Sequence, residues 1–136
     1  MAITSTEIQV EWATADSKSV GAGNTELSDS AAIEAAAFIA SVTLKADNNG
    51  TPSSDGQVTF EISYTTGDPD VDPDSADEYD TALHTTFLAT LDTYLEDPAI
   101  KTVPINAAVN AVKIQAVNLA ATDGITVSAQ ILTKEG

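Results

Sequence analysis

Hydrophobic and polar residues alternate along most of this chain. The clearest run is residues 58–64, VTFEISY, whose apolar members are Val58, Phe60, Ile62 and Tyr64. Successive side chains of a β-strand point to opposite faces, so this pattern predicts a strand with one buried face. We expect these four side chains to lie in a hydrophobic core.

Similar alternation predicts strands in several other segments. An N-terminal strand over about 6–14 would bury Ile8, Val10 and Trp12, and the loop at 15–30 would hold a short strand near Val20. Three later strands are expected over 99–105, 112–116 and 125–132. In them the inward set is Val112, Ile114, Ala116, Ile125, Val127, Ala129 and Ile131, with Lys113 facing out. Pro104 confines the strand at 99–105 to a sheet edge or a strand end, because proline lacks the backbone donor.

In two segments the residue pattern fits either a helix or a strand. Alanine favours a helix over 31–37, but alternation from Phe38 to Ala46 indicates strands over about 30–36 and 38–46. Over 81–95 the spacing of Leu83, Phe87 and Leu91 fits a short helix. The run 88–91 within it is the edge-strand alternative.

Turn residues separate these segments. Asn49-Gly50 and Asp55-Gly56 mark one loop, and Asp123-Gly124 ends a hairpin-like link at 120–124. Seven to nine short strands with such turns predict an all-β fold. We expect an antiparallel two-sheet sandwich, with the jelly roll as one form of it. Residues 1–136 form one domain in this interpretation, with one short helix near 81–95 as the alternative there.

The charge balance restricts the partners. The chain has 21 acidic residues, five lysines and no arginine, for a net charge of −16. A protein without a basic face does not neutralise phosphates, so we expect no binding to nucleic acid or to anionic membranes. With no cysteine, thiolate metal sites are excluded. The first ten residues lack the charged and apolar regions of a signal peptide, and no stretch is long and apolar enough to span a membrane.

Catalytic residues are hard to find. His84 is the single histidine and therefore the only imidazole base that a hydrolytic triad could use. Trp12 is the single tryptophan, and its alternation with Ile8 and Val10 indicates a core position rather than a sugar-binding cleft. We therefore expect no enzyme activity, no catalytic residue and no cofactor.

The acidic segment 68–80 is the one candidate cation site. Asp70, Asp72 and Asp74 offer carboxylate oxygens at alternate positions. A calcium loop that begins at Asp70 would place Ser75 where the glycine is needed and Thr81 where the bidentate glutamate is needed. We expect a solvated loop without tight calcium binding.

Several runs resemble small structural proteins of tailed bacteriophages. They lie at residues 43–48, 58–64, 91–98, 101–105 and 127–131. The resemblance spans roughly residues 27–133. It implies a β-sandwich or jelly-roll subunit of the virion, such as a capsid decoration (cement) protein, without catalytic residues.

The expected function is therefore that of a multi-copy virion structural protein. It would bind the phage head or tail surface, with the major capsid protein or tail components as partners, and would form a homo-oligomer. It would be made in the host cytoplasm and not secreted through a signal peptide. Trp12, Ile131 and Lys134 are the candidate interface residues, because both terminal strands lie outside the acidic, lysine-free interval between Lys45 and Lys101. The alternative is a carbohydrate- or ligand-binding β-sandwich module, assisted by a cation or not.

Overall fold

The structure, a computed structural model, describes residues 2–47, 57–65, 80–90, 99–119 and 124–136, and over 80–90 it describes the backbone. These ranges form ten strands and no helix: β1 (Thr4–Gln9), β2 (Lys18–Val20), β3 (Thr25–Leu27), β4 (Ala31–Ala32), β5 (Ala37–Asp47), β6 (Gln57–Thr65), β7 (Asp80–Thr90), β8 (Ala99–Ile105), β9 (Ala111–Asn118) and β10 (Ile125–Glu135). The all-β prediction is confirmed. Within the same ranges, no helix is long and apolar enough to cross a bilayer.

The strands form two antiparallel sheets. The first sheet has the order β1-β10-β5-β8, and β2 also pairs with β10. The second sheet has the order β3-β9-β6-β7, and β4 also pairs with β9. Because β5 occupies one edge of β10, β1 and β2 share its other edge and act as one interrupted strand. β3 and β4 share one edge of β9 in the same way.

The pairing between the two ends of the chain is nested. β1 pairs with β10, β3 with β9, β5 with β8, and β6 with β7. A chain that folds back on itself in this manner and splits the pairs alternately between two sheets has the jelly-roll topology. The predicted sandwich is confirmed, and its connectivity is that of a jelly roll.

The core lies between the sheets and follows the period-2 prediction. Val58, Phe60, Ile62 and Tyr64 of β6 are all buried. The inward residues of β9 and β10 are buried as well, and so are Val10, Trp12 and Val20 near the N-terminus. The strand at 99–105 is the edge strand β8, as Pro104 predicts.

Phe38 lies outside the core, contrary to the predicted alternation. Its side chain is 52% exposed. Lys134 pairs with Ile39 but Glu135 pairs with Ala37, so Phe38 is an extra residue in a β-bulge at the start of β5. The expected strand at 30–36 shrinks to β4 and a turn, and the helix considered for 31–37 is absent.

Three other expectations need correction. The chain segment from Asp80 to Thr90 is the edge strand β7, so the helix alternative is wrong over 81–90, while 91–95 lie outside the described residues. The strands β9 and β10 do not form the expected hairpin with each other, because they belong to different sheets. Lys113 points away from the core yet is only 3% exposed.

Candidate functional site

A notch interrupts one edge of the first sheet. Gln9 is the last residue of β1 to pair with β10, opposite Gln130, and β2 resumes the pairing with Lys18 opposite Val127. The intervening residues 10–17 leave the sheet, although the N–H of Val10 still donates to the carbonyl of Ala129 at 3.1 Å. A depression of about 240 Å³ lies at this interruption.

Polar side chains from three strands (β1, β5 and β10) and from the segment at 10–17 line the notch. They are Gln9, Asp16, Thr43, Lys45, Ser128 and Gln130, and Ala129 completes the lining. The set combines amides, hydroxyls, one carboxylate and one ammonium group. A pocket for a drug-sized apolar ligand is larger and mostly hydrophobic, so this depression suits a single small polar group.

Cross-strand register assembles the lining. Gln9 pairs with Gln130, Gln130 with Thr43, and Thr43 with Thr102, so four hydrogen-bonding side chains form one row across the outer face. The hydroxyls of Thr43 and Thr102 are 2.8 Å apart. Ser128 and Lys45 pair in the next row. The face thus presents donors and acceptors at the spacing of neighbouring strands, about 4.8 Å.

The side chain of Gln9 fixes the wall of the notch. Its Nε2 donates to the carbonyl of Ala129 at 3.0 Å and also lies 3.3 Å from the carbonyl of Asp16. These contacts hold the returning chain beside β10. Hydrogen bonds of the Gln9 side chain therefore define the shape of the notch at the sheet edge.

The excursion is anchored at its far end to the second sheet. Trp12 and Ala15 exchange backbone hydrogen bonds of 2.7 and 3.0 Å around a two-residue turn. Ala13 and Thr14 in that turn have φ angles of 50° and 71°. The N–H of Asp29, between β3 and β4, donates to the carbonyl of Glu11 at 2.8 Å. Residues of both sheets therefore shape the loop beside the notch.

Trp12 directly precedes the two turn residues and is 1% exposed, which confirms its predicted core position. Its Nε1 has no hydrogen-bond partner within the described part of the chain. Ile131 is also fully buried, and at this position β10 pairs with β1 on one side and with β5 on the other. Lys134 lies half-buried on the outer face of β10.

The structure does not describe the side chains of the other predicted positions. His84 lies in β7 of the second sheet, and only its backbone is described. Asp70, Asp72 and Asp74 lie outside the described residues. The notch residues escaped the sequence analysis because each is an ordinary polar residue on a solvent-facing strand position. Only the pairing of β1, β10 and β5 brings them together.

Comparisons with known proteins inform the fold. Neither the known family models nor the curated proteins include a match to this chain. Among solved structures, the chain is similar to tripeptidyl peptidase 2 (TM-score 0.56, 7% identity), covering 87% of this chain but only 9% of the peptidase. It is similar to the K3 cleaved adhesin domain of Lys-gingipain from Porphyromonas gingivalis (0.55, 10%), covering 86% of this chain and 71% of that domain. A third is TmCBM61 in complex with β-1,4-galactotriose (0.51, 10%), at 85% and 67% coverage.

Identities this low establish the architecture alone. The chain is a β-sandwich of the kind found in carbohydrate-binding modules and cleaved adhesin domains.

Proposed function

We propose that this protein is a non-catalytic binding module that takes a polar, hydroxyl-rich ligand, such as a saccharide unit, in the notch. The observation that carries the proposal is the notch itself. It gathers two amides, two hydroxyls, a carboxylate and an ammonium group around about 240 Å³ on the outer face of the first sheet.

The chemistry of the lining suits a neutral polyol. Gln130, Thr43 and Ser128 can each donate and accept hydrogen bonds, as sugar hydroxyls do. Gln9 offers its Oε1 as an acceptor, because its Nε2 is already engaged with backbone carbonyls. Asp16 offers an acceptor and Lys45 a donor, and both form stronger hydrogen bonds than neutral groups do. The net charge of −16 repels acidic polymers over several ångströms, so an uncharged saccharide fits better than a uronate or a sulfated glycan.

Two similarities support the proposal at the level of fold. TmCBM61 was solved with β-1,4-galactotriose, and the gingipain domain is called an adhesin domain. Both share the β-sandwich architecture of this chain. The residues that would bind here are this chain's own.

The test is calorimetric or NMR titration with a panel of neutral oligosaccharides. We expect binding in about the millimolar to micromolar range for at least one of them. Gln130→Ala should weaken that binding about tenfold, because it removes hydrogen bonds to the ligand. Gln115→Ala, on the outer face of the second sheet, is the matched control and should leave the affinity unchanged. If no member of the panel binds, or if both variants bind like the parent, the proposal is wrong.

A second candidate is the virion subunit that the phage resemblance implies. One observation favours it: the strands of the first sheet carry four lysines (Lys18, Lys45, Lys101 and Lys134) and three acidic residues (Glu7, Asp47 and Glu135), for a net charge of +1. In a chain of net charge −16, this sheet is the face that can approach a protein surface without burying clustered carboxylates.

Quantitative mass spectrometry of purified particles tests the virion candidate. A phage that encodes this chain should carry it at a fixed, high ratio to the major capsid protein or to a tail protein. Removal of the gene should leave particles that are less resistant to heat or to dilution of salt. Absence of the chain from purified particles would exclude this function while leaving saccharide binding open.

A further inference from the structure

The two edges of the first sheet differ in how they are protected. The β8 edge carries Lys101 and Pro104, a charge and a missing donor that discourage another strand from pairing there. The β1 edge, Thr4–Gln9, contains no lysine and no proline, and Glu7 is its only charged residue. In the described part of the chain, β10 is the only strand paired with β1.

The direction of the free backbone groups follows from one hydrogen bond. The N–H of Val10 donates to Ala129, so backbone groups of every second residue before it also point toward β10. Those residues are Ile8, Thr6 and Thr4. The N–H and C=O groups of Ser5 and Glu7 therefore point away from β10, toward the unpaired edge.

We infer that β1 pairs with β1 of a second copy of this chain, antiparallel and about a twofold axis. Such an interface is isologous, since the same strand serves both copies. Centring the axis on Thr6 pairs residues 4–8 of one copy with residues 8–4 of the other. Ser5 then faces Glu7 of the second copy, and these two residues exchange both backbone hydrogen bonds. In this register the two Glu7 carboxylates do not face each other.

The charges of the outer face fit this register. Ser5 pairs with Lys134 inside each copy. Glu7 of one copy, Ser5 of the other and Lys134 of the other therefore lie in a single row. Two strand spacings separate Glu7 from that lysine, about 10 Å, within reach of two long side chains. The interface repeats this opposite-charge pair twice by symmetry, which is the complementarity that favours a second copy as the occupant.

The salt dependence of association distinguishes a second copy of this chain from a basic partner protein. Two copies of net charge −16 repel one another over the whole molecule, and added salt screens that repulsion. Self-association through β1 should therefore strengthen as salt rises. Pairing with a lysine- or arginine-rich arm of another protein would weaken as salt rises.

The first test removes a single donor. Sedimentation equilibrium of the full chain, at concentrations up to about 1 mM and at salt from about 0.05 to 0.5 M, should show a dimer that is favoured at high salt. Ser5→Pro removes an N–H that points away from β10, so the pairing between β1 and β10 is kept. The dissociation constant of the dimer should rise at least tenfold, so that the variant sediments mainly as a monomer. Ser5→Val keeps the donor and should dimerise like the parent. Circular dichroism of both variants should match the parent.

The second test reverses charges. Glu7→Lys places a second positive charge in the row that contains Lys134 of the other copy, and it should weaken the dimer severalfold. Combining Glu7→Lys with Lys134→Glu restores the opposite-charge pair and should restore the dimer. Glu34→Lys makes the same change in net charge at an exposed position outside β1 and should strengthen the dimer slightly by reducing repulsion.

Three outcomes would overturn the inference. They are a monomer at all concentrations and salts, a dimer unaffected by Ser5→Pro in a folded variant, and a dimer that weakens as salt rises. None of these results bears on saccharide binding in the notch, which is measured by titration.

Discussion

The carboxylate of Asp29 holds the backbone of Thr14 in a left-handed conformation. Oδ2 of Asp29 accepts the N–H of Thr14 at 3.0 Å, and Oδ1 accepts the N–H of Ala13 at 3.2 Å. Thr14 has a φ angle of 71°, which is costly for a β-branched residue. The carboxylate offsets this cost, because it satisfies two N–H groups that point the same way.

Removal of that carboxylate should loosen the turn. We expect Asp29→Ala to lower the free energy of unfolding by about 1–2 kcal/mol, because two hydrogen bonds to a charged acceptor are lost at a partly exposed site. Urea denaturation followed by the fluorescence of Trp12, the single tryptophan, measures the change. Glu34→Ala removes the same charge at an exposed position and should change stability by less than about 0.5 kcal/mol. Equal effects of the two substitutions would contradict the role assigned to Asp29.

Glycine should be better than threonine at position 14. Thr14→Gly removes the steric cost of positive φ and should stabilise the fold by about 0.5–1 kcal/mol, net of the added entropy of the unfolded chain. Gly23 also has a positive φ, 73°, with nothing near its would-be Cβ, so Gly23→Ala should destabilise by about 1 kcal/mol. Thermal melts should show a higher melting temperature for Thr14→Gly and a lower one for Gly23→Ala than for the parent. A loss of stability in Thr14→Gly would mean that its side chain matters more than its φ angle.

Asn118 links the two sheets through a buried hydrogen bond. Its Nδ2 donates to the carbonyl of Val20 at 3.1 Å, and its side chain is fully buried. Asn118→Ala should cost about 1–3 kcal/mol, because the carbonyl loses its donor in a dry environment. Asn118→Asp keeps the shape but cannot donate when ionised, so it should cost at least as much. Urea titrations compare the variants. Parent-like stability for Asn118→Asp would show that the side-chain hydrogen bond contributes little.

Phe60 should be among the most important core residues. It is 1% exposed on β6, and Phe60→Ala should cost about 3–5 kcal/mol through lost burial and an unfilled cavity. Thr59→Ala, at the neighbouring position on the opposite face of the strand, should cost less than about 1 kcal/mol. Similar costs for the two would mean that the strand packs against something on both faces.

Local pattern was sufficient to predict which faces of the long strands are buried. Alternation in β6, β9 and β10 follows from the two-residue repeat of extended backbone, a property that each segment carries by itself. Pro104 limited the strand at 99–105 to a sheet edge or a strand end, and β8 lies at the edge. The class of fold was predictable for the same reason, since many short alternating strands can bury one face only by packing sheet on sheet.

The exposure of Phe38 was not predictable from its own segment. Its neighbours alternate as a regular strand does, and the bulge that turns it outward depends on the register with Lys134 and Glu135. Those residues lie more than ninety positions farther along the chain. Register between distant strands is set by the packing of all of them, and no local pattern encodes it.

The location of the notch, like the exposure of Phe38, depends on which distant strands pair. The sequence determined that Gln9, Thr43 and Gln130 are polar and face away from the core. Only the jelly-roll topology decided that they are cross-strand neighbours beside an interrupted edge, because antiparallel pairing of the first and last strands joins residues more than a hundred positions apart. A surface made of side chains from three distant strands exists only after those strands have paired.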